Sequence, residues 1–282
     1  MALEWEFIRD KSTTMQEKLV LAEIAQLSSM EKGCFASNWH FSKLLGVKKT
    51  AISRTISSLE KKGFITSKIA PGSRNNERVI AINNRKRQQL KQYSRMAKIP
   101  KRFSSVSFDN YEIADGRTMQ RLAYAMAKKY ADNWSDRLRA GGGLTLYGKC
   151  GTGKTHLVCA IANQILEGGG AMVAYRAVYD VVKSVKSTWG RDSQMTESEA
   201  INVFVRPDLL IIDEVGVQFG SEAERLILFE ILNRRYENVK PTIIVSNLDE
   251  DELTECLGER VIDRLKEGGG ARIGFDWGSY RK

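Results

Sequence analysis

The segment from Gly148 to Thr155 reads Gly-Lys-Cys-Gly-Thr-Gly-Lys-Thr, and its residue types and spacing suit the binding of phosphate. It fits G-x-x-x-x-G-K-[ST], the phosphate-binding loop of nucleoside triphosphatases. Glycines let backbone N–H groups point at phosphate oxygens, and a following helix adds positive potential. Leu144–Tyr147 predicts the strand before the loop, and Thr155–Glu167 predicts the helix after it. The predicted nucleotide-binding residues are Gly148, Gly151, Thr152, Gly153, Lys154 and Thr155.

A second pattern places two carboxylates after an apolar strand, Leu209–Ile212 followed by Asp213 and Glu214. Asp213 at the strand end is suited to hold Mg²⁺ together with the hydroxyl of Thr155. Glu214 is then placed to orient and deprotonate an attacking water. Consecutive Asp-Glu favours ATP over GTP, and the sequence shows no separate guanine-reading pattern. Solvated charge at a strand end is the alternative, which the upstream phosphate loop makes the poorer explanation.

Composition describes an ordinary globular protein large enough for two domains. The chain has 282 residues, of which 42% are hydrophobic and 28% charged. The sequence has no apolar run of the roughly 20 residues that span a membrane. The acidic N-terminus argues against a signal peptide. Cysteines without C-x-x-C spacing argue against a zinc site and favour reduced thiols in the bacterial cytosol: Cys34, Cys150, Cys159 and Cys256.

The net charge of +10 is concentrated at one end of the chain. Residues 1–104 carry a net +13, whereas residues 105–282 carry a net −3. A localised basic field is what a protein that binds a phosphate backbone needs. The alternative is a basic, solvated surface without a partner.

The basic part has the pattern of a helix-turn-helix followed by a β-hairpin. Helices are predicted for residues 14–29, 38–45 and 50–62, with a turn at Gly46-Val47, and strands for 64–69 and 79–82. This order resembles the winged helix-turn-helix of many bacterial DNA-binding proteins. In that fold the start of the third helix enters the major groove, and the wing touches the DNA backbone or minor groove. The resemblance implies that duplex DNA is contacted by Lys48, Lys49, Thr50, Ser53, Arg54, Arg74 and Arg78. A winged helix that docks only protein stays the alternative.

A basic segment without acidic residues follows the hairpin, and we place a domain boundary there. We therefore predict that the chain has three parts. These are a winged-helix domain at 1–84, a linker at 85–104 and an ATPase domain at 105–282. The linker has the composition of a tether, of a further DNA contact or of a segment that orders on a partner.

The C-terminal part alternates strands with helical segments, which predicts a parallel α/β sheet. Besides the strands at 144–147 and 209–212, strands are predicted at 171–175, 242–245 and 272–275. Site residues are expected at the carboxyl ends of such strands.

From about Ile99 onward the chain resembles the DnaC-type replicative helicase loaders and, more distantly, the IstB-type transposition helpers. The matching segments are Ile99–Phe103, Phe108–Tyr111, Gly148–Leu157, Leu209–Gln218, Leu257–Leu265 and Trp277–Arg281. The resemblance implies an α/β AAA+ P-loop core with a parallel sheet. Because six residues follow Asp276, we expect no full C-terminal lid and an activity that depends on assembly. The small α+β winged helix at the front departs from the family pattern.

The resemblance assigns further residues to catalysis. Asn247 is implied as the sensor of the attacking water or γ-phosphate. Arg260 is implied as the finger that completes a neighbouring subunit's site, where it stabilises charge on the transferred phosphoryl group. Arg264, one helical turn later, is the alternative finger, and a salt bridge to Glu259 or Asp263 is the structural alternative for both arginines.

The helix after Val178 is implied by the same resemblance to line a channel for single-stranded DNA. Lys186 would contact phosphate and Trp189 would stack on a base. The alternative is that Trp189 belongs to the core, although its polar neighbours fit that poorly.

The leading hypothesis is therefore an ATP- and Mg²⁺-dependent loader of a DnaB-like hexameric helicase, from a phage or mobile element. It would assemble as a homo-oligomer through its ATPase domain, with its own domain for double-stranded origin DNA and with no membrane partner. An IstB-type regulator of DNA transposition is the alternative. A transcription factor with a degenerate ATPase is disfavoured by the complete set Lys154, Asp213, Glu214, Asn247 and Arg260.

Overall fold

The computed structural model describes residues 13–28, 34–69, 78–83, 92–93, 95–113, 118–168, 171–190, 192–216 and 221–280. The chain forms two compact units, one built mainly from residues before Tyr93 and one from Tyr93–Leu166 and Ala171–Lys282. This division falls inside the segment predicted as the linker, whose own bounds stay a prediction.

The first unit places helices before an antiparallel hairpin: α1 (Met15–Ser28), α2 (Asn38–Leu45), α3 (Lys49–Lys61), β1 (Ile65–Ile69) and β2 (Arg78–Ile82). The Ser37 hydroxyl accepts from the His40 N–H and begins α2, and Gly46 ends it at a φ of +66°. That left-handed conformation suits glycine and makes the tight turn into α3. The predicted helix-turn-helix and hairpin are thus confirmed. The hairpin's connecting turn lies outside the described residues.

One apolar core holds the first unit together, and its members come from each of these elements: Val20, Leu21, Ile24, Cys34, Phe41, Ile52, Ile56, Leu59, Phe64, Ile65 and Ile80. Glu17 is buried beside it and joins α1 to α3. Its carboxylate accepts from Lys62 Nζ at 2.8 Å and from the Ser58 hydroxyl at 2.7 Å. Burial raises the pKa of Glu17, but these donors and the Thr14 N–H outweigh burial, so the pKa is lowered overall.

The second unit alternates strands and helices along the chain. Its elements are α4 (Thr118–Asp132), α5 (Trp134–Ala140), β3 (Leu144–Gly148), α6 (Lys154–Glu167), β4 (Val173–Ala177), α7 (Val178–Lys186), α8 (Glu197–Val205), β5 (Leu209–Val215), α9 (Glu222–Glu237), β6 (Thr242–Ser246), α10 (Glu250–Leu257), α11 (Glu259–Lys266) and β7 (Ala271–Phe275).

The five strands of this unit form one parallel sheet in the order β4-β5-β6-β3-β7. Helices α4 and α6 contribute to an apolar core on one face, while α7 to α11 contribute to a second core. Because both faces are covered, the central strands β5 and β6 carry continuous apolar runs at 209–212 and 243–245. The predicted parallel α/β core is confirmed. The carboxyl ends of β3, β5 and β6 lie side by side, where a ligand site is expected.

Arg235 on α9 is the most deeply buried charge in the described residues. Its guanidinium donates to the Thr242 hydroxyl and to the carbonyl oxygens of Phe204, Val205, Pro207 and Pro241, at 2.6 to 3.1 Å. Burial lowers its pKa to about 9. The side chain thereby satisfies carbonyls at the end of α8 and in the segments before β5 and β6 that would otherwise be buried without donors. Within the described residues, no helix is long and apolar enough to cross a membrane.

Candidate functional site

The phosphate-binding loop connects β3 to α6 at the carboxyl end of the sheet. Gly148 has a φ of +112°, and a Cβ there would collide with the carbonyl oxygen of Phe275. Gly153 has a φ of +98°, and a Cβ there would lie 2.9 Å from the Tyr111 hydroxyl oxygen. Two of the motif's glycines are therefore required both by backbone conformation and by close approach of neighbouring segments.

The loop encloses the side chain of Lys154. Lys154 is buried, and its Nζ donates to the carbonyl oxygens of Gly148 at 2.5 Å and Lys149 at 2.7 Å. Its ammonium thus lies within the loop that the sequence predicts to surround the phosphates. The position suits a cation that meets the β- and γ-phosphates of a nucleotide.

Asp213 and Thr155 meet as the motifs predict. The Thr155 hydroxyl donates to Asp213 Oδ2 at 3.0 Å, although the two residues are 58 positions apart. A hydroxyl and a carboxylate supply the oxygen ligands that Mg²⁺ prefers, and phosphate oxygens complete such a site in phosphate-loop proteins. The donor set therefore fits Mg²⁺ bound between Thr155, Asp213 and a nucleotide.

A third side chain, Tyr175 on β4, also contacts Asp213. Its hydroxyl donates to Asp213 Oδ2 at 2.5 Å. Burial raises the pKa of Tyr175 far above its usual value, and the negative charge of Asp213 adds to that rise. Cys159 lies near the same carboxylate, and burial, with a smaller contribution from Asp213, raises its pKa to about 12. Tyr175 has no counterpart among the predicted site residues.

Glu214 lies near the end of β5, next to Asp213, and has an unusual backbone conformation. It has a φ of +63°, its N–H donates to Asp213 Oδ1 at 2.7 Å, and its side chain is exposed. A positive φ is uncommon for a residue other than glycine and costs of order 1–3 kcal/mol. Such strain clusters at functional positions, which agrees with a role for Glu214 beside Asp213.

Asn247 follows β6, between two anchored residues. The Ser246 hydroxyl donates to the Val215 carbonyl oxygen at 2.6 Å, and the Leu248 carbonyl oxygen accepts from the Gly148 N–H at 2.8 Å. These bonds tie the segment around Asn247 both to the end of β5 and to the start of the phosphate-binding loop. Asn247 itself is exposed. The structure therefore brings Asn247 to the same edge of the sheet as the two motifs.

The two candidate arginine fingers differ in how they are held. Arg264 donates to Asn233 Oδ1 and stacks over the Tyr236 ring, with the guanidinium carbon 4.8 Å from the ring centroid. Arg260 is exposed in the first turn of α11 and forms no ion pair or hydrogen bond with any described residue. The salt bridge to Glu259 or Asp263 is thus absent from the described residues. Of the two, Arg260 is the side chain available to another molecule.

Two chain segments distant in sequence support the loop. The Trp277 indole N–H donates to the Thr152 carbonyl oxygen at 3.0 Å, and the Tyr280 N–H donates to the Gly151 carbonyl oxygen at 2.9 Å. On the other side, Tyr111 packs edge-on against His156, with ring centroids 5.2 Å apart. These contacts orient the loop without using the N–H groups that phosphate needs.

Most of the residues predicted to contact duplex DNA lie exposed in one segment of the first unit. Five of them are exposed at the start of α3: Lys48, Lys49, Thr50, Ser53 and Arg54. The opposite face of α3 carries buried Ile52, Ile56 and Leu59. Arg78, in contrast, donates to Asn38 Oδ1 at 2.7 Å. Arg74 lies outside the described residues.

The two residues predicted to contact single-stranded DNA differ in their exposure and in their contacts. Lys186 forms an ion pair with Glu224 at 2.7 Å. Trp189 is 52% exposed, so it is not a core residue, and its indole N–H donates to Glu197 at 2.8 Å. Tyr179, which is 62% exposed, and Lys183 present an aromatic ring and a cation on the exposed side of α7.

Models of known protein families match both parts of the chain. Residues 77–265 match the model described as IstB-like ATP binding protein, and residues 14–65 match a helix-turn-helix domain. The first match covers more than half of the chain. This protein belongs to the IstB-like ATP-binding family.

Named relatives of this IstB-like protein include replicative helicase loaders. It is 33% identical to the replicative helicase loader DnaC of Buchnera aphidicola subsp. Baizongia pistaciae, over 78% of this chain and 93% of the relative. It is 35% identical to the DnaC of Escherichia coli strain K12, over 62% of this chain and 69% of the relative. The resemblance to DnaC-type loaders with an added helix-turn-helix is thus confirmed.

Solved structures agree on the fold of the IstB-like core. A crystal structure of the DnaC helicase loader superposes with a TM-score of 0.55 at 23% identity, covering 63% of this chain and all of that one. The replication initiator DnaA, solved with AMPPCP and single-stranded DNA, superposes with a TM-score of 0.52 at 25% identity, covering 64% and 52%. The core is an ATP-binding P-loop fold of the AAA+ type.

The residues that sequence reasoning missed in this IstB-like site are Tyr175, Tyr111 and the supporting role of Trp277. Tyr175 carries no motif, because its contact with Asp213 depends on two strands that meet only in the fold. Tyr111 and Trp277 lie in segments that resemble the family, but no spacing rule connects them to the phosphate-binding loop.

Proposed function

We propose that this protein is an ATPase that loads a DnaB-like hexameric helicase onto DNA. The observation that supports this most is the joint presence of a complete phosphate-binding loop, the adjacent Asp213-Glu214 pair and extensive similarity to DnaC loaders. The activity, the helicase partner and the roles of single residues are all part of the proposal. A cytosolic location goes with it.

The proposed chemistry follows from the positions of the side chains. Loop N–H groups and Lys154 bind the phosphates, and Thr155 and Asp213 hold Mg²⁺, which neutralises charge on the phosphate oxygens. Glu214 accepts a proton from the attacking water, and Asn247 orients that water or the γ-phosphate. Glu214 near the end of β5 and Asn247 directly after β6 lie at the edge of the sheet where β3 leads into the loop, which is the arrangement this chemistry needs.

Arg260 is proposed to act on a neighbouring copy of the chain. It is exposed and has no partner among the described residues, while Arg264 is held by Asn233 and Tyr236. A guanidinium that serves its own site would be expected to be held near it. A homo-oligomer in which each Arg260 completes the next site therefore agrees best with the geometry.

We propose two distinct DNA contacts. The exposed start of α3 suits the major groove of a duplex, since Lys49, Thr50, Ser53 and Arg54 share a face opposite the core. The exposed side of α7 and the following turn suits a single strand, with Tyr179 and Trp189 for base stacking and Lys183 for phosphate. Lys186 is the weaker candidate because Glu224 already neutralises it.

The second candidate function is regulation of DNA transposition. It is favoured by the family model, whose description is that of IstB-like proteins. In this alternative the ATPase assembles on duplex DNA and engages a transposase in place of a helicase. The nucleotide chemistry is the same in both cases, so only the partner separates them.

A loading assay tests the proposal. A purified DnaB-like helicase is incubated with single-stranded DNA coated by single-strand binding protein, with ATP and with this chain, and strand displacement is measured. We expect displacement to depend on the chain and to be lost with Lys154→Ala. The matched control is Lys240→Ala, which removes a lysine that pairs with Asp208 instead of binding phosphate.

Physical association gives the complementary measurement. Co-purification of the chain with the helicase in ATP is expected, whereas co-purification with an IS21-type transposase and no effect on the helicase would favour the alternative. Failure with both partners, while ATP is still hydrolysed, would contradict both functions but not the ATPase.

A further inference from the structure

Tyr175 contacts the proposed magnesium site but belongs to neither motif. Its hydroxyl lies 2.5 Å from Asp213 Oδ2, closer than the Thr155 hydroxyl at 3.0 Å. Hydrogen bonds from a hydroxyl to a carboxylate are charge-assisted and among the stronger ones in proteins. A contact of this kind at a metal-binding carboxylate calls for a functional explanation beyond packing.

The sheet holds Tyr175 in this place. β4 pairs in parallel with β5, and Tyr175 stands opposite Ile211, two residues before Asp213. Side chains two residues apart on a strand share a face, so Tyr175 and Asp213 project on the same side of the sheet. The ring of Tyr175 packs against the core on that side. The Tyr175 hydroxyl is therefore positioned by two paired strands and not by a loop.

The Asp213 carboxylate is held from three directions. Oδ2 accepts from the hydroxyls of Tyr175 and Thr155, and Oδ1 accepts from the N–H of Glu214. Of these donors, Thr155 is itself a proposed Mg²⁺ ligand, and Glu214 sits on a backbone with a positive φ. Tyr175 is the donor with no proposed metal-binding or catalytic role of its own. Its hydroxyl can therefore hold the Asp213 carboxylate in place.

We propose that Tyr175 is a positioning residue of the magnesium site, whose hydroxyl fixes the Asp213 carboxylate in the orientation that binds Mg²⁺ with Thr155 and the nucleotide. The inference rests on the proposed ATPase function. Groups that orient metal ligands typically contribute 10- to 100-fold to metal affinity. Tyr175 itself touches neither the metal nor the reacting atoms.

The test compares Tyr175→Phe with Tyr130→Phe. Tyr130 is the matched control, since its buried hydroxyl donates to the Gly142 carbonyl oxygen at 3.0 Å, before the start of β3 and away from the phosphate-binding loop. Binding of a fluorescent, non-hydrolysable ATP analogue is measured as Mg²⁺ is titrated, and again in EDTA. For Tyr175→Phe we expect the Mg²⁺ concentration for half-maximal effect to rise about tenfold or more, with unchanged binding in EDTA. Tyr130→Phe should match the wild type in both.

Other outcomes overturn the inference in distinct ways. A Tyr175→Phe protein with a wild-type Mg²⁺ response, or with equal weakening in Mg²⁺ and EDTA, would make Tyr175 a packing residue. In Asp213→Asn, adding Tyr175→Phe should change the Mg²⁺ response little, because the supported group is gone. If the wild type binds no nucleotide, the proposed function itself fails. Should Tyr175→Phe not fold, Tyr175→Leu serves instead, since it also lacks a hydrogen-bond donor, with the same selective loss expected.

Discussion

The nucleotide-binding site and the helix α3, which is proposed to contact duplex DNA, are built in different ways. At the nucleotide-binding site, Thr155, Tyr175 and Asp213 come from three separate elements and are joined by hydrogen bonds of 2.5 to 3.0 Å. At the start of α3, the proposed DNA-contacting residues lie within seven consecutive positions and are all exposed. Catalysis needs groups preorganised before the ligand arrives, whereas groove recognition needs side chains that remain available.

This difference predicts where a substitution should have a large effect on function and where it should have a small one. In a preorganised network, removing one partner disturbs the others, so effects should be large and non-additive. Along an exposed helix face, each side chain acts nearly alone and effects should be small and separable. The predictions below test this contrast, from the largest expected effect to the smallest.

Arg260→Ala should reduce ATP hydrolysis by roughly a thousandfold or more while ATP binding persists, because a finger stabilises charge only in the transition state. Phosphate release and nucleotide binding are measured under assembling conditions. Mixing this variant with Glu214→Gln should restore part of the turnover, since a mixed interface combines an intact finger with an intact base. Normal hydrolysis by Arg260→Ala would move the role to Arg264.

Glu214→Gln should lower the hydrolysis rate by roughly 10²- to 10⁴-fold and leave ATP binding intact, because only the proton acceptor is lost. Lys154→Ala should instead weaken ATP binding. Single-turnover hydrolysis and equilibrium binding distinguish the two. The assignment of Glu214 fails if its variant turns over at the wild-type rate.

Arg54→Ala should weaken binding of the full chain to a cognate duplex by about 1–3 kcal/mol if the guanidinium contacts a base edge. Fluorescence anisotropy with cognate and scrambled duplexes measures the loss of preference. Lys61→Ala is the matched control, since Lys61 is exposed at the far end of the same helix. Equal losses from the two variants would indicate a general charge effect without base readout.

Trp189→Ala should weaken ATP-dependent binding of single-stranded DNA by about 1–3 kcal/mol if the ring stacks on a base, and leave duplex binding unchanged. Anisotropy with both forms of DNA provides the measurement. A folded Trp189→Ala protein that holds single strands as tightly as the wild type would limit Trp189 to its contact with Glu197.

Glu17→Gln should destabilise the winged-helix unit by about 1–3 kcal/mol at neutral pH, because Lys62 and Ser58 lose a charged acceptor. The folded-state pKa of Glu17 lies below 4.5, so its contribution is present above that value and is lost as the pH falls through the folded pKa. Thermal unfolding from pH 7 down to pH 3 should therefore show the two proteins converging below pH 4.5. A gap that stays constant across this range would contradict the lowered pKa.

Local patterns were enough to predict both fold classes and most of the elements. The helix predicted at 38–45 matches α2, whose ends are set locally by the Ser37 cap and the left-handed Gly46. Strand bounds were less accurate, since the strand predicted at 171–175 is found at Val173–Ala177. Strand ends depend on pairing with neighbours, and the Ala177–Asp213 register extends β4 beyond its apolar run.

Within the nucleotide-binding site, some features could be predicted from local sequence, whereas others depend on the tertiary structure. The phosphate-binding loop and the Asp213-Glu214 pair could be recognised from the sequence because their chemistry needs fixed residue types at fixed spacing. The support from Tyr175, the availability of Arg260 and the neutralisation of Lys186 by Glu224 were decided only by the fold. Such contacts join residues 38 positions apart in the chain, and their distances depend on how strands and helices pack, for which one-dimensional spacing carries no signal.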